Sequence, residues 1–395
     1  MLKKYFHNAK IICVDRVIES GYVYIEGRKI LDFGQGEIYV AENTRKIDLK
    51  GCYLSPGFID LHIHGGGGYD FMDATVEAFL GVANTHVKYG TTSMCPTSLT
   101  ADIDSIYRVL DCYQDAYKKN TDGAEFLGIH LEGPYLAMGQ RGAQDPKYIR
   151  NPDPEEYKKF LSHSPHIIRW SAAPELPGAL DFSDYLVSQG KLVSLAHTDA
   201  IYEEVVRGFE HGFSLATHFY SAMSGITRKN AKRYAGVIES GYLIEDMDVE
   251  IIADGIHVPA PLLQLIYKIK GPDRIALVTD AMRAAAMPEG QSVLGRKEDG
   301  LPVIVEDGVA KLLDRSAFAG SVATADRLLR NYIELVGIPL VDAVKMLTAT
   351  PARILKINNQ KGAIAKEMDA DLVVLNSDLC VEMTVVGGEI KYKRQ

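Results

Sequence analysis

The stretch "PGFIDLHIHGGGGYD", residues 56–70, decides how the rest of the chain is read. An apolar run ends in two histidines one residue apart and then gives way to four glycines. Positions i and i+2 of a strand face the same side, so His62 and His64 present two imidazoles to one point, as metal ligands do. Gly65 to Gly68 are expected to turn the backbone sharply off the strand and to leave room for substrate beside a metal.

Downstream, short apolar runs alternate with polar, helix-like segments, the signature of parallel βα units. Eight candidate strands follow one another: "GFIDLHI", "GTTSMCPTS", "EFLGIHLEG", "IIRWSAAPE", "KLVSLAHT", "FSLATHF", "VEIIADGIHV" and "RIALVTDA". Eight such units predict an α/β fold, a (β/α)8 barrel over residues 56–355, with its active site at the C-terminal ends of the strands. Residues 1–55 and 356–395 read differently, as short β-like runs such as "GYVYIEGRKI" and "DADLVVL" broken by turns. Neither end has enough apolar residues for its own core, so the two are expected to meet as one small β-sandwich.

Composition agrees with a globular protein of this size. Of 395 residues, 47% are apolar and 24% charged, ordinary values for a globule with a large domain and a lesser one. The net charge of -9 is spread over mixed-sign segments without a basic stripe, which argues against nucleic acid as a partner. The longest apolar run near the start, Ile11 to Val14, is too short for a signal-peptide core, and no stretch reaches the ~18 apolar residues of a membrane span. Five scattered cysteines without CxxC spacing read as reduced thiols. A cytoplasmic location without membrane partners is expected.

Ionisable residues collect at the strand ends. His62 and His64 close the first run, Glu132 the third, His197 the fifth, His218 the sixth, His257 the seventh and Asp280 the eighth. A lone histidine is more often a hydrogen-bonded core residue than a ligand, but a cluster on six strand ends is what a metal-dependent active site needs. His130 shares a face with Glu132 one layer deeper, and Glu132 is the expected ligand. His7, His86, His163, His166 and His211 fall in terminal, helical or loop contexts and read as packing or surface residues.

The motifs "PGFIDLHIHG", "HLEGPYL", "AHTDA", "ATHFYSAM", "IADGIHV", "LVTDAM", "FAGS" and "GAIAKEMDADLVVLN" resemble, in order, those of the amidohydrolase superfamily, specifically its N-acetylglucosamine-6-phosphate deacetylases. The resemblance implies that Glu132, His197 and His218 hold a principal divalent metal. His62 and His64 would complete a second site bridged by Glu132, giving one or two metals per chain. Zn²⁺ is the first expectation, with Fe²⁺, Mn²⁺ and Co²⁺ also suited to nitrogen and carboxylate ligands. It implies further that Asp280 is the general base and that His257 donates to the carbonyl oxygen of an acetamide. Phe318, Ala319 and Gly320 would line the acetyl group, unless Ser321 of the same segment merely caps a helix.

The phosphate end departs from the family. Where relatives typically carry Asn-Ala after the "ATH" ligand, a histidine after "HLEGP" and an Arg-Glu-Pro-Gly run, this chain has Ser221 and Ala222, Ala143 and Gln144, and "ITRKNAKRYAG". Arg228, Lys229, Lys232 and Arg233 keep the positive charge. Arg228 and Lys229 are expected to reach the sugar phosphate across a homodimer interface, aided by helix N-terminal amides after Ser221. The expected reaction is hydrolysis of N-acetyl-D-glucosamine 6-phosphate to glucosamine 6-phosphate and acetate. The alternatives are the galactosamine epimer, an unphosphorylated acetyl-amino sugar, or a cyclic amide. Two-metal enzymes of the last kind commonly bridge their ions with a strand-four lysine, and "IIRWSAAPE" has none.

Overall fold

A computed structural model describes residues 2–395. Eight parallel strands organise the large domain: β1 Phe58–Ile63, β2 Thr91–Pro96, β3 Ile129–Glu132, β4 Ile167–Ala172, β5 Leu192–Leu195, β6 Phe213–Ala216, β7 Asp248–Ile251 and β8 Ile275–Leu277. Strands β3 to β8 pair in succession as one sheet, and β1 pairs with β2 in another. A parallel bridge between Thr97 and His130 links the two sheets on one side. On the other side, beyond the end of β8, Asp280 N donates to His62 O at 2.9 Å, bringing that segment against β1.

Strands β1, β2 and β3 are buried throughout, as parallel strands covered by helices must be. The helix Ile103–Lys119, after β2, is typical of the cover. Asp102 caps it by accepting from Ser105 N, and Lys118 and Lys119 offset the dipole at its end. Ile106, Val109, Leu110 and Tyr113 recur at helical spacing and are buried against the strands.

Each of the eight apolar runs contains its strand, with two differences. "EFLGIHLEG" breaks into Glu125–Phe126 and β3 around Gly128, whose φ of 146° no side chain tolerates easily. Strand β7 stops at Ile251, so His257 lies in the following loop and not at the strand end. Two antiparallel pieces have no counterpart in the βα reading: a three-stranded sheet spanning Gly290–Leu294, Leu301–Glu306 and Val309–Leu312, and a hairpin pairing Thr227–Lys229 with Lys232–Tyr234.

Both termini enter a single eight-stranded sheet. Leu372–Leu375 pairs antiparallel with Tyr53–Pro56, which pairs with Lys3–Ile12. Phe6, Ile11, Val23 and Leu54 from the early strands share one buried cluster with Leu372, Val374, Met383 and Val385 from the late ones. An ionic knot stands where this sheet meets the large domain. Lys361 Nζ lies 2.7 Å from Glu125 and 2.5 Å from Asp371, and Arg28 lies 2.6 Å from Glu125.

Candidate metal centre and active site

Glu132, the last residue of β3, is the focus of the strand ends. Its Oε1 is 3.0 Å from His218 Nε2, 3.4 Å from His197 Nε2 and 3.5 Å from His62 Nε2, while Oε2 is 3.4 Å from His64 Nε2. Asp280 Oδ1 stands 3.1 Å from His64 Nε2 and 3.5 Å from His62 Nε2. Two donor sets emerge, His62 with His64 and Glu132, and Glu132 with His197 and His218, each with ligand atoms within 4.8 Å of one another.

The backbone is forced into this arrangement. His197, His218 and Asp280 have φ of 46°, 35° and 46°, in the left-handed region that residues with side chains avoid. Such positions cost about 1–3 kcal/mol each and persist where surrounding contacts over-determine them. Ring orientation is fixed from behind. His197 Nδ1 is 2.7 Å from Gln140 O and His64 Nδ1 is 3.2 Å from Thr97 O. A carbonyl only accepts, so both Nδ1 atoms carry protons and both Nε2 atoms turn lone pairs inward.

A divalent cation fits these residues. Ring nitrogens crowd together, with His62 Nε2 only 3.1 Å from His64 Nε2, beside two carboxylates in a buried site. The cluster therefore attracts positive charge. Burial works against protonating His62, yet Glu132 and Asp280 outweigh it and push that imidazole up to about 10. Burial likewise opposes the charge on Glu132, and the surrounding histidines hold its carboxyl well below the usual range. Nitrogen and carboxylate donors of this kind suit first-row divalent ions. His130 stays out of the set: its Nε2 meets Ser171 Oγ at 2.6 Å and its Nδ1 meets Thr97 Oγ1 at 3.2 Å, a layer below.

A cavity of about 440 Å³ opens above the cluster. His64, Glu132, His197, His218, His257 and Asp280 line its inner end, and Ala143, Gln144, Ser221, Ala222, Phe318 and Gly320 line its walls. His257 is held by Asp254, whose Oδ2 is 2.7 Å from Nδ1 and whose Oδ1 accepts from the backbone of Ile256 and His257. Phe318 packs on the His257 ring, with centroids 4.7 Å apart.

The amidohydrolase family model matches residues 53–391. The chain belongs to the amidohydrolase family. Among its relatives is the N-acetylglucosamine-6-phosphate deacetylase of Lysinibacillus sphaericus, 34% identical over 89% of this chain and 88% of that protein. The N-acetylgalactosamine-6-phosphate deacetylase of Escherichia coli O157:H7 is 32% identical over 85% and 87%. Among solved structures, N-acetylglucosamine-6-phosphate deacetylase from Pasteurella multocida superposes with a TM-score of 0.92 at 32% identity over the whole of both chains. A mutant of the Mycobacterium smegmatis enzyme in complex with N-acetyl-D-glucosamine-6-phosphate gives 0.90 at 29% identity, again over the whole of both.

Several expected site residues of this amidohydrolase lie elsewhere. Arg228 and Lys229 sit on the exposed hairpin and do not line the cavity, and no helix begins after Ser221; the next is Val237–Leu243. Ala319 is buried behind the wall, packed with Met282 and Leu294. Ser321 caps no helix, since the following one, Ala325–Val336, takes Thr324 at its N-cap. The glycines make room for protein and not for substrate. A Cβ on Gly65 would meet Tyr69 O at 2.4 Å and one on Gly66 would meet His86 Nε2 at 2.4 Å, while Gly67 and Gly68 supply φ of 63° and 91° for a tight hairpin turn.

Sequence reading missed Tyr220, Gln140 and Leu294, all of which line the cavity. Tyr220 sat inside the motif "ATHFYSAM", directly before Ser221, and its hydroxyl is 2.9 Å from that of Tyr242. Gln140 acts through its carbonyl, which no side-chain pattern reveals. Leu294 arrives on the inserted three-stranded sheet.

Proposed function

We infer that this amidohydrolase hydrolyses the acetamide of N-acetyl-D-glucosamine 6-phosphate, releasing acetate and glucosamine 6-phosphate. The observation that carries the reading is the convergence of Glu132, His197, His218 and Asp280 at the inner end of a cavity of about 440 Å³. Glu132, His197 and His218 would hold the principal metal, and His62 and His64, with Glu132 as bridge, a second. Zinc is the first choice of ion. A divalent metal held there would supply water activation, with a pKa lowered from 15.7 toward about 7, and polarisation of an amide carbonyl.

The remaining chemistry belongs to side chains. Asp280, acceptor-only and facing the inner end, takes a proton from the attacking water and returns it to the leaving nitrogen. His257, held through Nδ1 by Asp254, is the side chain that would donate to the carbonyl oxygen, where charge develops. Phe318 and Gly320 enclose the acetyl group, with Ala319 supporting them from behind. Ala143, Gln144, Ser221 and Ala222 border the sugar.

The phosphate assignment rests on charge. Arg228 and Lys229, exposed and away from their own cavity, suit a role in a homodimer in which each hairpin serves the partner's site. The two-domain division is part of the same reading: residues 56–355 as a (β/α)8 catalytic barrel, residues 1–55 and 356–395 as a β-sandwich. The single eight-stranded sheet shared by both termini supports their joining as one unit, without a second sheet among the described residues to complete a sandwich. Among the described residues no helix is long and apolar enough to cross a membrane, which is compatible with work in the cytoplasm.

The test is acetate release from a panel of N-acetylglucosamine 6-phosphate, its galactosamine epimer and unphosphorylated N-acetylglucosamine. The first should have the highest kcat/KM. A preference for the epimer, which the Escherichia coli relative leaves as the second reading, or for the unphosphorylated sugar replaces the substrate but keeps the chemistry. Absence of acetate from all three refutes the deacetylase.

A further inference from the structure

Beneath the metal cluster lies a charged pair that the proposed chemistry does not use. Arg169 on β4 and Glu250 on β7 are both 0% exposed. All five guanidinium protons have acceptors. Nε donates to Ser194 Oγ at 3.1 Å, Nη1 to Leu61 O at 3.1 Å and to Glu250 Oε1, and Nη2 to Thr217 Oγ1 and Glu250 Oε2, each at 2.9 Å. One side chain thus reaches β1, β5, β7 and the residue after β6.

Burying an ion pair is at best neutral for stability compared with apolar packing, so its place under the site calls for another explanation. His62 supplies one. His64 and His197 have carbonyls behind Nδ1, but His62 Nδ1 is fully buried with no hydrogen-bond partner. Facing it is Glu250 Oε2, 3.7 Å away, within a small ring rotation of a hydrogen bond.

We propose that Arg169 and Glu250 are positioning residues of the metal centre: Arg169 locks Glu250, and Glu250 accepts a hydrogen bond from the Nδ1–H of His62, holding that imidazole with Nε2 toward Glu132 and His64. The proposal rests on the metal reading above. It assigns the strand-four cation a new place, not bridging metals but anchoring the carboxylate that orients a ligand. Arg suits this where Lys would not, because a lysine has three donors for five acceptors.

The test is zinc binding by the full chain, followed in competition with a chelator, for wild type, Glu250→Gln, Arg169→Lys and Arg169→Met. Removing the partner of a ligating histidine costs about 10–100-fold in metal affinity. Glu250→Gln and Arg169→Met should show that loss for the ion held by His62, with unchanged far-UV circular dichroism, unchanged KM and lowered kcat, and Arg169→Lys should recover part of it. A purely structural role would lower Tm and leave the zinc affinity of the folded protein intact; that result overturns the proposal. If the variants do not fold, a crystal structure of zinc-loaded wild type decides: His62 Nδ1 and Glu250 Oε2 within about 3.2 Å support it, and a water or a wider gap between them refutes it. A wild type that takes up no zinc refutes the metal reading and this inference with it, whereas normal zinc uptake by wild type and Glu250→Gln alike refutes the inference alone.

Discussion

The inner end of the cavity and the basic hairpin assigned to the phosphate are built by opposite means. Glu132, His62, His64 and His218 are buried at or just beyond the ends of three strands, with strained backbone at His197, His218 and Asp280 and carbonyls behind Nδ1 of His64 and His197. Residues 226–233 are all exposed, and the hairpin turns on Asn230 and Ala231 with φ of 50° and 65°. Arg228, Lys229, Lys232 and Arg233 all lie on the exposed strands of that hairpin. Chemistry at a carbonyl tolerates little displacement of its groups, whereas attraction between a phosphate and a cation falls off more gently with distance. Preorganisation is concentrated at the inner end, where geometry would decide a rate, while the hairpin offers only long, exposed cationic side chains, whose contribution would be charge.

Stripping the metal should break the inner end completely. Chelation is expected to abolish acetate release, and Zn²⁺ or Fe²⁺ to restore it, with one to two equivalents bound per chain by metal analysis. Full turnover in metal-free protein would refute the role given to the cluster. Asp280→Asn should follow closely, losing roughly three or more decades of kcat, since general acid-base catalysis contributes about 10²–10⁴-fold and this group acts twice. Metal content and circular dichroism should not change. A variant within tenfold of the parent removes Asp280 from the role.

At the other region the expected effect is smaller and of a different kind. Arg228→Ala or Lys229→Ala should raise KM for the phosphorylated sugar about tenfold or more, the scale of one charged hydrogen bond, and leave the unphosphorylated sugar unaffected. Equal responses to both substrates would make the hairpin a solvated loop. The smallest effect concerns stability alone. Burial depresses His86 to about 4, although its Nε2 donates to Gly65 O beneath the glycine turn. A histidine depressed in the folded state is protonated first in the unfolded chain, so its contribution is full above about pH 6.5 and is lost as pH falls toward 4, up to about 3 kcal/mol. His86→Gln should lessen the fall in Tm between those pH values; an identical fall would show that other groups govern it.

The same contrast explains what could be read in advance. The HxH pair and the polar residues closing apolar runs mark the cluster of His and carboxylate donors, because strand alternation carries side-chain direction with it. The sequence pattern puts His257 at the end of β7, whereas its position depends on a turn built by Asp254 beyond that strand. The four glycines read as a turn, but their neighbours, Arg283, His86 and Thr85, come from other parts of the chain. Gln144 looked like a sugar contact, and its amide is also committed to Glu132 Oε2 and Thr100 N, each at 2.8 Å. Contacts that arise only on folding leave no local pattern.

The sheet that draws on both termini carries a consequence in time. Tyr53–Pro56 emerges from the ribosome long before Leu372–Leu375, its antiparallel neighbour. Throughout synthesis of the large domain, the early strands hold an unpaired edge and an apolar face missing Val374, Met383 and Val385. Such an edge is a template for wrong partners. Nascent chains of this protein are therefore most exposed to misassembly while the catalytic domain is being made, and the last strands act as the clasp that ends that vulnerability.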